Sequence, residues 1–598
     1  MYNDTDESSA LNLDWIYITS NAQFAHYQHR LTESPALGVD VETTGLDPKS
    51  DRIRLVQLAT PNQPTLVIDL WQMTNWKPLA DLLILPSIIK VGHNLKFDWQ
   101  MLKVANLPLA RPFFDTQLAY QALRKGIPDK SDLGYLVKRL LKVNLDKSQQ
   151  CSNFSQPQLS LEQLQYAAWD AAYSLALSEV LRERLGHARL WAIAQLEFDC
   201  IPATASMELN GMYLDPTRWQ NACTTLEKQK QEASNKFHSS LLIDRSVQMT
   251  LWPEQKPTLQ YGINLNSSQQ VQRALARAGL ELKSTDQRSI IKVVERHPAL
   301  PALLEWRRVS KVLDILNGLP KHRHRLTQRL HPQIFQMGAR SGRFSCRNPA
   351  LQTIPHQDLI RRCFTAPDGF VLIKADYSQI ELRIIAKITK DPLLVKAYRT
   401  AQDVHRLTAA LLMDKSVSLV TEEERRLGKA INFGLIYGMS AVRLQIEAQL
   451  KYGIILTKAQ ALHLHKRYFK LFKGVRLWHQ RLKRRLYTDR VKHAPTLLGR
   501  VRRWQEQPKF NEWLNFPVQG TSADITKQAL VNLLPCLNPD RVKLLIAVHD
   551  EIVLEVRSDL ADTVARQLQQ AMIDAAVPLL SPIPVVVDVS INSSWAVQ

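Results

Sequence analysis

The sequence predicts a multidomain α/β protein, on three observations. At about 100–200 residues per domain, its 598 residues are too many for a single core. Short apolar runs of strand length open the chain and give way to helical patterns. Strand character returns after Pro355 and is split by a long helical insertion, so the economical arrangement is a sheet whose strands lie far apart in sequence. Hydrophobic residues at 45% and charged residues at 22% are ordinary for a folded chain and exclude wholesale disorder or a collagen-like fibre.

In chain order, ALGVDV (36–41), RIRLVQLAT (52–60) and TLVIDL (65–70) read as strands, with short helical stretches after them. From 162 to 184 apolar residues recur at helical spacing, and Ser160 with Gln163 supplies a capping box to start that helix. A first domain is drawn over 1–190. Residues 191–330 form a helical arm: a polar, basic stretch, EKQKQEASNK, then a proline-containing break near WPEQKP, then the amphipathic run LPALLEWRRVSKVLDIL (300–316). The arm ends in KHRHRLTQR (321–329), a basic run that as a type is usually a solvated face but beside a nucleic-acid groove would grip phosphates. The third region, 331–598, has a strand in GFVLIKADYS (369–378), helices to about 535, strand–turn–strand in VKLLIAVHDEIVLEV (542–556), and a closing strand in PIPVVVDVSI (582–591).

Lys and Arg number 77 against 56 Asp and Glu, and the formal charge of +21 makes nucleic acid the leading partner, ahead of an anionic membrane surface. No apolar run reaches the roughly 18 residues of a membrane span, and the acidic start MYNDTDESSALNLDW reads as neither signal nor transit peptide. The six cysteines contain no CxxC pair, which argues against a disulfide framework or a zinc site and for a reducing cytoplasm.

Two groups of acids carry the chemistry. In the third region Asp376 ends the apolar strand VLIKAD, while Asp550 and Glu551 sit between two apolar strands. Taken singly, Asp376 ends a strand and Asp550 makes a turn. Brought together, they repel unless a divalent cation lies between them, and Mg²⁺ suits hard oxygen ligands and phosphates, so a two-metal phosphoryl-transfer centre follows. Thr421 and Glu424 form a second capping box, starting a helix whose i+4 steps align Arg425, Lys429, Phe433 and Tyr437. Two cations followed by two rings on one stripe suit a triphosphate and its base.

DYSQIELR (376–383), RRLGKAINFGLIYG (425–438), NFPVQGTSAD (515–524) and VHDEIV (548–553), in that order, resemble family A DNA polymerases, the family of the Klenow fragment. With SGRFSCRNPALQTIP (341–355) and DVHRLTA (403–409), the resemblance covers the chain from residue 331 onward, and less distinctly the arm. It implies a right hand: palm from the strands, fingers from the helical insertion at about 400–515, thumb from the arm over 191–330. By it, Asp376 and Asp550 bind two Mg²⁺, the Tyr377 carbonyl adds a ligand, and Glu551 supports them. Lys429 protonates the leaving pyrophosphate, Arg425 and His405 hold phosphates, and Phe433 stacks on the nucleotide, with Gln379 in the same shell. Tyr437 and Glu381 close over the sugar 2′ position, and Arg343, Gln519 and His549 read the primer end and the minor groove. Two positions depart from the family pattern, Ala350 after Pro349 and Asn511 before Asn515. Neither touches the metals, so altered DNA grip rather than lost chemistry is expected.

In the first domain Asp40 and Glu42 of GVDVETTGLD share one face of a strand. Asp98 follows Asn94 in VGHNLKFDW, and Asp170 lies one helical turn after Tyr166 in YAAWDAAY. Singly each acid is a surface residue or a cap, but paired acids on an apolar strand are costly to bury without a metal. The order DVE, HNLKFD, YAAWD resembles the tyrosine-containing 3′–5′ exonucleases of the DEDD type, a ribonuclease H-like proofreading fold. That resemblance covers about residues 10–190. It implies that Asp40, Glu42 and Asp170 bind one Mg²⁺, that Asp40 and Asp98 serve a second, and that Tyr166 orients the attacking water. No room is left for a 5′ nuclease domain ahead of it.

The leading reading is therefore a cytoplasmic, monomeric DNA polymerase of bacterial, phage or plasmid origin with built-in proofreading, taking primer-template DNA and dNTPs. A nuclease or a DNA-binding module on an inert polymerase scaffold is the alternative, against which Asp376, Asp550, Lys429 and Arg425 speak. A single-subunit RNA polymerase is more distant, because Glu381 argues for deoxynucleotides.

Overall fold

The computed structural model describes residues 13–243, 263–355 and 357–596. The first twelve residues and the WPEQKP break lie outside the described residues.

The N-terminal half is a six-stranded mixed sheet of β1 (Trp15–Ile18), β2 (Ala36–Thr43), β3 (Ile53–Ala59), β4 (Thr65–Asp69), β5 (Ile89–Gly92) and β6 (Phe113–Asp115), in the order β1-β4-β3-β2-β5-β6. The three strands foreseen are present. The three missed have four, four and three residues, too short to show a period. β3 is buried along its whole length because helices and neighbouring strands cover both faces. The helix α1 (Lys96–Val104) follows β5, and α2 (Leu161–His187) lies across β2 and β3, started by the Ser160–Gln163 capping box.

Gly38 in β2 permits that approach, because a Cβ there would stand 2.7 Å from the Ala171 carbonyl oxygen of α2. The carboxylates of β2 and α2 are thereby brought face to face.

The arm pairs α3 (Pro216–Ile243) with α4 (Ala299–Gly318). Beyond it stands an antiparallel four-stranded sheet of β7 (Phe370–Tyr377), β8 (Val542–Val548), β9 (Glu551–Arg557) and β10 (Val587–Asn592), in the order β8-β9-β7-β10. The strands come from distant sequence, as expected, with α5 (Ile380–Thr389), α6 (Val404–Met413), α7 (Glu422–Ile436) and α8 (Phe510–Leu533) between β7 and β8. β10 starts at Val587, later than expected, because Pro582 and Pro584 have no N–H to give a ladder.

A buried ionic network joins the two halves. Glu197 Oε1 accepts from Arg500 Nη2 and Lys527 Nζ at 2.6 Å each, and Arg500 Nε donates to Asp524 Oδ1 at 2.7 Å. Among the described residues, no helix is long and apolar enough to cross a membrane.

Candidate active sites

In the N-terminal half, Asp40 and Glu42 point from β2 toward α2, which presents Asp170. One carboxylate oxygen from each lies within 4.8 Å of the other two. Asp98 on α1 is buried beside them, its Oδ1 accepting from the Val41 N–H at 3.1 Å, midway between Asp40 and Glu42. Burial first, then the neighbouring acids, holds Asp40 and Glu42 well above the usual carboxylate range. The same burial pushes Asp98 up to about 8 and Asp170 to about 6, where the Tyr166 hydroxyl and then Lys147 oppose the rise. Tyr166, one turn from Asp170, has its hydroxyl pKa raised by burial and then by Asp170. All five foreseen residues are thus gathered at one place.

Asp170 Oδ1 is buried with no hydrogen-bond partner. Three acids at such range, a fourth buried beside them, and an orphaned carboxylate oxygen are a hard-oxygen donor set without its counter-charge, which fits a divalent cation.

In the C-terminal half, Asp376 ends β7 and Asp550 sits in the two-residue turn His549–Asp550 joining β8 to β9. His549 takes a left-handed φ of 58°, as the first position of such a hairpin turn requires. Gln379, three residues past Asp376, is also left-handed at 56°, and its side-chain oxygen accepts from the Tyr398 hydroxyl at 3.2 Å. Burial first and Asp550 second push Asp376 up to about 7, and burial pushes Asp550 to about 6 with Arg343 opposing. Asp376 Oδ1 is buried and without a hydrogen-bond partner, so this pair too fits a cation, with the Tyr377 backbone next to it.

Glu551 is differently placed. Its carboxylate accepts from Arg361 Nη1 at 3.2 and 3.0 Å and from Trp595 Nε1 at 2.6 Å, leaving its charge matched inside the protein.

The capping box Thr421–Glu424 forms and starts α7. Gly428 allows α6 and α7 to cross closely, since a Cβ there would meet the His405 carbonyl oxygen at 2.2 Å. Lys429 is exposed and its side chain has no partner among the described residues. Arg425 Nε is held by Asp403 Oδ2 at 2.7 Å. His405 is 2% exposed, its ring 5.7 Å from that of Phe433 and its pKa lowered to about 4, chiefly by burial. Tyr437 caps the helix just outside its last turn and donates to Glu381 Oε2 at 2.5 Å, while Arg343 Nη2 donates to Glu381 Oε1 at 2.8 Å. Gln519 lies half-buried on α8.

Several partners escaped the sequence reading. Asp403 caps α6 and neutralises Arg425, and its only signal is an acid just ahead of a helix. Buried Asn432 bonds Thr408 and lies 3.2 Å from His405 Nδ1. Asp588 faces Asp376 across β10 and β7, and Arg361 neutralises Glu551, two pairings that appear only once the sheet is assembled.

Comparison with known proteins agrees with this arrangement. Residues 246–597 match the model of DNA polymerase family A, and residues 15–186 match that of a 3′–5′ exonuclease. The chain is 34% identical to a DNA polymerase I of Aquifex aeolicus over 98% of its own length and 100% of the relative. It is 29% identical to that of Pseudomonas aeruginosa over 98% of the chain and 66% of the relative. With the thermostable enzyme of Thermus filiformis it shares 33% identity, covering 82% of this chain and 58% of that one. Among solved structures, the POL domain of Pol1 from M. smegmatis, in complex with DNA primer-template and dNTP, superimposes with a TM-score of 0.80 at 25% identity. That match covers 97% of this chain and 99% of the other.

Proposed function

The chain belongs to DNA polymerase family A and carries a 3′–5′ exonuclease domain, and from that premise we propose how its residues divide the work. Residues 1–190 are the exonuclease, 191–330 the thumb and connecting arm, and 331–598 the palm and fingers. The observation that carries the reading is the pair of separate acid centres, each with a buried carboxylate oxygen that no group of the protein satisfies.

Asp376, Asp550 and the Tyr377 carbonyl would hold two Mg²⁺ at the polymerase site, and Asp40, Glu42, Asp98 and Asp170 two at the exonuclease site. When bound, these ions supply the positive charge that phosphoryl transfer needs at the attacked phosphate and the leaving oxygen.

The chain's own groups do the rest. Primer-template DNA and a dNTP are the substrates. Lys429, free on α7, is set to give a proton to the departing pyrophosphate, and Arg425 to bind its phosphates by exchanging Asp403 for them. Phe433 offers its face to the base, with His405 buried behind it. Glu381, locked by Tyr437 and Arg343, fills the space where a ribose 2′-hydroxyl would stand. Gln379 joins the nucleotide shell beside the metal strand, and Arg343, Gln519 and His549 face the primer end and the minor groove. Glu551 acts as a positioning residue, holding the β9 end against Asp376 through Arg361. In the exonuclease site Tyr166 orients the attacking water beside Asp170.

One primer-extension gel tests the whole reading. With matched dNTPs the primer lengthens, with rNTPs it does not, and with Mg²⁺ alone it shortens. Shortening without extension would instead support a nuclease on an inert scaffold.

A further inference from the structure

An open cleft of about 1380 Å³ lies between the N-terminal sheet and the strands that precede the second sheet, larger than the roughly 300–1,000 Å³ of an ordinary small-molecule site. One end of it reaches Asn94 and Phe97, beside Asp98. The end of the arm, 321–326, forms part of its wall and puts Lys321, Arg323 and Arg325 at alternate positions. Lys321 and Arg325 are exposed, and neither side chain has a partner among the described residues; the same holds of exposed Arg340 across the cleft.

The acids in this wall are already engaged. Asp47 accepts from His324 at 2.7 Å and Glu208 from Lys96 at 2.6 Å, Asp129 is ion-paired with Arg124 at 3.1 Å, and buried Asp115 accepts from the Leu95 and Leu118 N–H groups at 2.7 and 2.9 Å. The exposed charge left without a partner in the cleft is therefore positive. Leu326, 68% exposed, stands on the same wall and offers an apolar surface among the cations. Phosphates at regular spacing with flat apolar faces between them are the chemistry that matches this alternation. The His324–Asp47 contact also fixes the segment to the loop that leaves β2, the strand of Asp40 and Glu42.

We infer that 321–326 is a clasp for single-stranded DNA, in which Lys321, Arg323 and Arg325 take successive phosphates of a frayed primer strand and Leu326 meets a base, leading the 3′ end toward the Asp40–Glu42–Asp170 cluster. The inference rests on the exonuclease reading above for its direction, and on the cleft's charge for its ligand.

The test is binding of a single-stranded oligothymidine by the full chain in EDTA, between 50 and 200 mM salt. Each phosphate contact adds about 0.7 to the log–log salt slope for single strands. Lys321→Ser/Arg323→Ser/Arg325→Ser should therefore flatten the slope by about 2, so that the variant loses about 20-fold less affinity over that range. Extension of a matched primer should stay at the wild-type rate, which also reports an intact fold. If the triple variant loses extension, Lys321→Ser/Arg325→Ser decides, with a flattening of about 1.4 expected. An unchanged slope overturns the clasp, and so does an equal flattening with blunt duplex DNA. Should wild-type protein with Mg²⁺ leave the strand uncut while the slope still flattens, the exonuclease reading fails and the binding site stands.

Discussion

Asp376 and Glu551 stand directly opposite each other on neighbouring antiparallel strands, yet only Glu551 has its charge matched by the protein. Asp376 keeps a buried oxygen without a partner, while Glu551 is bound by Arg361 and Trp595. The same sheet therefore holds one acid spent on structure and one left for a ligand. Both side chains of the Arg361–Glu551 pair are nearly inaccessible, at 4% and 6% exposed. Removing one partner strands a buried charge, which costs about 3–5 kcal/mol. Arg361→Leu should lower unfolding stability in urea by that amount, and adding Glu551→Leu should restore part of it. A loss below about 1 kcal/mol would mean that water already screens the pair.

The two acid centres lie in separate sheets, so their losses should separate. Asp550→Ala is expected to abolish extension and spare primer degradation. Asp40→Ala should do the reverse, sparing extension and ending mismatch removal. Purified variants on one labelled mismatched primer decide it, and loss of both activities in either variant would show that the centres depend on each other.

The raised carboxylates set a pH dependence in the metal-free protein. Asp376 titrates at about 7, Asp98 at about 8, and Asp550 and Asp170 at about 6, all above their unfolded value of about 4. Between about pH 4 and 8 the folded state thus binds more protons than the unfolded one, and its stability falls as pH rises. Thermal unfolding in EDTA should show a midpoint that drops from pH 5.5 to 8.5. A Mg²⁺ ion held by these acids needs them deprotonated, so on the proposed assignment its stabilisation should be larger at pH 8.5. An equal Mg²⁺ effect at both pH values would place the ions away from these carboxylates.

Local patterns made part of this legible in the sequence. The capping boxes at Ser160 and Thr421 are short-range, and both formed. Asp40 and Glu42 share a face by strand period alone. The gathering of Asp170 with them depends instead on α2 crossing β2 at Gly38, and nothing in a glycine announces a helix whose backbone a Cβ there would meet at 2.7 Å. Likewise the sequence marks Arg425 as a cation facing a ligand, but its contact with Asp403, 22 residues earlier, needs two helices to cross. The short strands β1, β5 and β6 of the first sheet are not legible because stability there comes from pairing, not from an amphipathic period.

That crossing gives a further test. Gly38→Ala puts a methyl group against the backbone of α2, which cannot yield as a side chain can. Such overpacking costs about 1–3 kcal/mol and would move Asp170 away from Asp40. A displacement near 1 Å is enough to cost about 100-fold in rate. Degradation of single-stranded DNA should fall by at least tenfold while extension holds, and unchanged degradation would show that the helix slides without moving its acid.

Phe433 should make the enzyme discriminate against dideoxynucleotides. It sits half-buried on α7, its ring tilted 41° against His405, and the ring itself offers the nucleotide no hydroxyl. Near a metal-bound triphosphate a dNTP carries its own 3′-OH and a ddNTP does not. Phe433→Tyr adds a hydroxyl at the ring's edge that can stand in for the missing one. A net hydrogen bond is worth about 0.5–1.5 kcal/mol, and up to about 3 with a charged group, so ddNTP use relative to dNTP should rise by a few-fold to about a hundredfold. If Phe433 only packs α7 against α6, the added hydroxyl would instead lower the use of both nucleotides together. Incorporation at matched concentrations separates these outcomes: the ratio responds only to a ring that touches the nucleotide, whereas a packing defect changes the absolute rates and leaves the ratio fixed.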